Sequence, residues 1–250
     1  VPDESDRENV AKAIPSDALG WLIYGSAARR DTSIHSDVDI IAIVPTNRKS
    51  RSFGRINATY YTMEKLSSSS GTIFGQHLRS DAVVMADTQN VIETTLGSFR
   101  AADPELVMHK LRRAAVALTS SNVSHSRYLP GVVRLSRYLL RTAMYAHAIQ
   151  RGAPCFSVRQ LAKLHGDPGL IQLLSSHETE QTPMGARMLE DLLQRLFSII
   201  GEVEVNPFGT VEGFIVGRWN SDPDSSNTVL LTIGRSSQDI PYNEIPRVVL

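Results

Sequence analysis

A chain of 250 residues with 42% hydrophobic content can bury a core of its own, which excludes a disordered polypeptide. Its 26 Lys and Arg balance its 26 Asp and Glu, so no bulk charge draws it to nucleic acid or to a membrane surface. The single Cys155 forbids an internal disulfide, no run of about 18 apolar residues offers a membrane span, and residues 1–9 (VPDESDREN) lack a signal-peptide apolar stretch. These features predict a soluble, cytoplasmic protein with no membrane partner.

The first hundred residues read as mixed α and β. Residues 19–24 (LGWLIY) predict a buried strand ending at Gly25, and 37–44 (DVDIIAIV) a second strand closed by Pro45. Residues 55–62 (RINATYYT) predict a third strand and 82–86 (AVVMA) a fourth; 63–70, 71–79 and 91–99 read as helical. From Asp103 the texture becomes helical. Pro104 suits a first helical turn, and Leu106, Val107, Leu111, Ala114 and Leu118 recur near helical spacing. After a polar connection over 119–126, residues 128–150 carry the longest stripe (Val132, Leu135, Leu139, Ala143, Ala146), closed by Gly152. Ser157 can cap a helix over 158–165, and 184–200 predict another. Residues 210–219 and 228–234 read as β-like, joined by the turn-rich SDPDSSN. The expected fold class is α+β: a small mixed-sheet domain over 1–102, a helical bundle over 103–201 and a β-hairpin-like tail over 202–250.

The chemistry concentrates in residues 24–44 (YGSAARRDTSIHSDVDIIAIV). Alternation along a strand points Asp37 and Asp39 to one face. Two close carboxylates repel each other, and a divalent cation such as Mg²⁺, which also takes phosphate oxygens, removes that penalty. Gly25 lets a backbone approach a phosphate, and Ser26 adds a hydroxyl and turn N–H groups that favour anions.

This Gly-Ser turn, a spacer of about ten residues, then Asp-hydrophobic-Asp between apolar runs, resembles the signature of the DNA-polymerase-β-like nucleotidyltransferase superfamily. The resemblance covers about residues 19–100, and the helical segment behind it is similar in kind to the bundle of kanamycin-type nucleotidyltransferases. It implies transfer of a nucleoside monophosphate from an NTP, with ATP favoured, to a hydroxyl acceptor. Two Mg²⁺ ions, or Mn²⁺, would sit on Asp37 and Asp39, and Gly25 and Ser26 would bind the triphosphate in a cleft between sheet and bundle. Arg29 and Arg30, on the turn-to-helix segment, are further candidates for phosphate oxygens. The family usually carries a third carboxylate on a neighbouring strand; here Asn57 stands about where it is expected, and Glu64, Asp81 and Asp87 are possible substitutes. The alternative is therefore a catalytically degenerate nucleotide- or partner-binding module of the same fold, such as an antitoxin-like protein.

Charge is uneven along the chain. Residues 105–151 hold eight basic side chains against Glu105, a net +7, whereas 201–250 hold seven acids against three arginines. Arg134, Arg137 and Arg141 fall on one helical face. They form either a solvated polar face, a positive wall for triphosphate or RNA, or a partner for the acidic tail. The basic segment tilts the acceptor toward an anionic or macromolecular one, protein or RNA, with a small molecule still open. The seven histidines form no zinc-ligand pattern, His35 reads as a surface-turn residue, and Cys155 reads as buried and structural.

Overall fold

The computed structural model describes residues 4–31, 37–175 and 183–234. These contain one five-stranded mixed sheet and thirteen α-helices, so the chain is α+β, and it divides into two compact units at Ala102/Asp103.

The first unit opens with α1 (Glu4–Ala13) and contains β1 (Gly20–Tyr24), the single-turn α2 (Ser26–Arg29), β2 (Val38–Ile43), β3 (Arg51–Phe53) and β4 (Ile56–Tyr61). Then come α3 (Met63–Ser67), α4 (Ile73–Asp81), β5 (Val83–Asp87) and α5 (Val91–Gly97). The sheet order is β3-β4-β2-β1-β5, with β2 and β4 parallel and the other neighbours antiparallel. The central strands are covered on both faces, which is why β2 is apolar without alternation after Asp39. One face (Val38, Ile40, Ala42, Ile56, Ala58, Tyr60) packs with Ala13 of α1, where Tyr60 donates its hydroxyl to the Ala13 carbonyl at 2.9 Å. On the other, Phe74 of α4 makes edge contacts with Tyr24 and Tyr61 at 5.6 and 6.2 Å.

The second unit is helical. Asp103 caps α6 (Pro104–Ala115) by accepting from the Glu105 and Leu106 N–H groups at 3.0 and 3.3 Å. The central helix is α8 (Leu129–Gln150), against which α6, α10 (Gly169–Ser175), α11 (Pro183–Ile200) and α13 (Pro223–Gly234) pack. Around it lie α7 (Asn122–Arg127), α9 (Val158–Leu164), capped by Ser157 as expected, and α12 (Val211–Arg218). A Cβ on Gly131 would lie 2.7 Å from the Ile233 Cα, so only glycine lets α8 and α13 approach this closely.

Two expectations need correction here. The tail is not β-like in its described part, because α12 and α13 occupy 211–218 and 223–234. Thr210 accepts from the Gly213 N–H at 3.0 Å and Asp222 from the Ser225 N–H at 3.2 Å, with Pro223 in the first turn of α13. These caps, and burial of Phe214, Val229 and Thr232, outweigh the β-propensity of the branched residues. The arginine stripe is neither a solvated face nor a positive wall. Arg134 and Arg137 are only 6% and 3% exposed. Arg134 Nε donates to the Thr232 carbonyl of α13 at 3.3 Å, Arg137 Nε to the Leu173 carbonyl of α10 at 3.1 Å, and Arg141 Nη2 to Leu174. Leu173, Leu174 and Thr232 lie in the C-terminal parts of α10 and α13, toward the negative end of each helix dipole.

Candidate functional site

The site is built where β1 ends and β2 begins. Register places Tyr24 of β1 beside Asp39 of β2 and Asp39 beside Asn57 of β4, with Ser52 of β3 next in the row. Asp37 immediately precedes β2 and is exposed, whereas Asp39 is half-buried. Gly25 has φ +74°, and a Cβ there would lie 3.3 Å from Asp39 Oδ2. The turn that resembles a phosphate-binding element therefore abuts the inner carboxylate, and glycine satisfies both the left-handed backbone and the close approach. Ser26 opens α2 and is partly exposed; Arg30 closes it in the left-handed region at φ 59° with its side chain exposed.

One amide bridges the two carboxylates. Asn57 Nδ2 donates to Asp37 Oδ2 at 3.2 Å, its Oδ1 accepts from the Ser52 hydroxyl at 2.9 Å, and it also hydrogen-bonds Asp39. Burial, then the charge of Asp37, push the Asp39 carboxyl up to about 6 although Asn57 and Arg29 pull it down. The folded chain thus keeps a proton that an unfolded aspartate has lost, so ionised Asp39 lowers stability as pH rises from about 4 through 6. In chelator, Asp39→Asn is expected to be about 2–3 kcal/mol more stable than the parent at pH 7.5 and equal to it near pH 4. Urea unfolding at the two pH values checks this; a pH-independent difference would contradict it.

Arg29 is engaged in an ionic cluster with α4. Its Nη1 donates to Asp81 Oδ2 at 2.6 Å and lies 3.2 Å from His77 Nε2, while Nε reaches Asp31 at 3.4 Å. His77 is buried below Tyr24, and burial holds its pKa below the usual imidazole range. Burial alone would raise Asp81, but its bonds to His77 and Arg29 outweigh that and keep it below the ordinary range. This cluster ties α2 to α4. His77 escaped the sequence reading because nothing in its spacing sets it apart from six other histidines.

The suggested substitutes for a third carboxylate are otherwise engaged or differently placed. Asp81 holds Arg29, Asp87 accepts from the Ile92 and Glu93 N–H groups at the start of α5, and Glu64 lies in the first turn of α3. Among the described residues no group of three or more His, Cys, Asp or Glu side chains has metal-holding geometry. His35 lies outside the described residues. Cys155 is half-buried rather than buried, with Sγ 3.3 Å from Gln160 Oε1, because the segment before α9 lies at the surface. No described helix is long and apolar enough to cross a membrane. Comparison with protein-family models and with curated proteins finds no match.

Proposed function

We propose that the chain is a metal-dependent nucleotidyltransferase that moves a nucleoside monophosphate from an NTP, with ATP favoured, to a hydroxyl acceptor. The observation that carries this reading is the placement of the Asp39 carboxylate against the positive-φ Gly25, with Asp37 one step outward. Asp37 and Asp39 fit a divalent cation: two carboxylates side by side, one of them with a raised proton affinity, gain from a positive charge between them. Mg²⁺ held there would neutralise triphosphate charge and acidify the acceptor hydroxyl. Gly25 leaves room for a phosphate beside Asp39, and Ser26 offers its hydroxyl. Arg29, fixed by Asp81 and His77, adds positive charge on the Asp39 side. Burial of Arg134 and Arg137 removes the argument for an RNA-directed positive wall, so the acceptor class rests on experiment.

A second reading, a nucleotide-binding module without turnover, is favoured by Asn57, the in-register neighbour of Asp39. An amide offers a ligand oxygen but cannot accept the acceptor's proton at neutral pH. The test supplies each α-³²P-labelled NTP with Mg²⁺ or Mn²⁺ and an extract split into protein, RNA and small-molecule fractions. Transfer into one fraction, falling at least about 10²-fold in Asp37→Ala/Asp39→Ala, is the expected result. Nucleotide binding without transfer selects the module, and absence of both discards the site.

A further inference from the structure

Far along the chain from the aspartate pair, the second unit places two imidazoles together from different elements. His147 lies in the last turn of α8, and His165 follows α9 as its C-cap, fixed by its N–H on the Leu161 carbonyl at 3.0 Å. Their ring centres are 5.3 Å apart and the planes are inclined by 52°. His147 Nδ1 and His165 Nε2 are both buried, and among the described residues neither has a hydrogen-bond partner. A buried ring nitrogen is ordinarily satisfied, so these two are each open to an atom from outside the described residues.

We propose that His147 and His165 form a two-histidine site for an imidazole-preferring divalent cation, with Zn²⁺ as the representative. A zinc–nitrogen bond is about 2.0–2.1 Å, and a tetrahedral angle between two such bonds puts the ring centres about 5 Å apart. The observed 5.3 Å matches that spacing, and the tilt departs from the parallel planes of a stacked pair.

The surroundings define what the site takes. Asp167 is committed to Arg195 at 2.7 Å and to the Gly169 N–H at 3.0 Å, so it supplies no ligand in this arrangement. With two nitrogen ligands and no carboxylate, the site disfavours Mg²⁺ and Ca²⁺, which require oxygen. Arg151 adds positive charge beside His165 and so weakens the hold on a cation.

Calorimetric titration with ZnCl₂ on the full chain carrying Asp37→Ala/Asp39→Ala isolates this pair from the first site. One Zn²⁺ per chain is expected, with affinity falling at least tenfold in His147→Ala and in His165→Ala, and unaffected by excess Mg²⁺. Arg151→Gln should tighten binding severalfold, because it removes a repelling charge while leaving both ligands. Affinity should also fall in acid, because protons compete with the metal for a nitrogen ligand. If the alanine variants fold poorly, visible absorption of Co²⁺ added to the otherwise unsubstituted chain reports nitrogen ligation directly. Zinc binding that survives both histidine substitutions, or no binding and a featureless Co²⁺ spectrum, overturns the proposal.

Discussion

Arg137→Ala is expected to destabilise the helical unit by about 3 kcal/mol, seen as a lower urea midpoint. The side chain is almost fully buried, and its guanidinium serves the Leu173 carbonyl and lies 3.3 Å from Met188 Sδ. Truncation removes the guanidinium donor from the Leu173 carbonyl and opens a void against α11. Arg137→Met restores most of the volume but not the donor, so its loss should be smaller. Because the partner is a buried carbonyl, the loss should persist at high ionic strength, unlike that of a surface ion pair. A loss below about 1 kcal/mol, or one abolished by salt, would return Arg137 to the solvated face that its spacing suggests.

Asn57→Asp should act in opposite directions with and without metal. The substitution replaces the amide that donates to Asp37 with a third carboxylate beside two others. In chelator the variant should lose about 1–3 kcal/mol of stability at neutral pH, from lost hydrogen bonding and like-charge repulsion. With Mn²⁺ it should recover, and Mn²⁺ affinity should rise at least about tenfold, since a charged ligand replaces a neutral one. If turnover is limited by a missing base, transfer should also rise by about 10²-fold or more. Calorimetric titration and labelled-NTP transfer read the two effects separately. Weaker Mn²⁺ binding in the variant would mean that the aspartates do not form a cation site.

Much of the first unit was legible because β1, β2 and β4 are buried runs closed by Gly25, Pro45 and α3. The row containing Asp39 and Asn57 followed from matching their strands. The short β3 was missed, since Arg51, Ser52 and Phe53 carry no periodicity and are placed by pairing with β4. Helix α10 was missed because only packing against α9 and α8 gives GLIQLLS a direction. In α12 and α13 the caps at Thr210 and Asp222 were visible as letters, but branched residues at 228–233 outweighed them in a local reading. The arginines show the same limit more sharply. Spacing put Arg134, Arg137 and Arg141 on one face, but the carbonyls they meet belong to helices about 30 to 100 residues away. At the site, the contact between Gly25 and Asp39 was implicit in the motif, whereas the His77–Asp81 anchor of Arg29 exists only in three dimensions.

The packing of α8 has a consequence for how the chain is made. Every strand of the first unit lies between residues 20 and 87, so that unit can close while most of the chain is still unsynthesised. Helix α8 is complete at Gln150, but one of its packing partners, α13, ends at Gly234. At about 5–20 residues per second, its apolar stripe waits on the order of 4–17 s on the ribosome before that partner exists. During that interval Arg134 lacks the Thr232 carbonyl it later serves, so this contact is among the last that α8 can make.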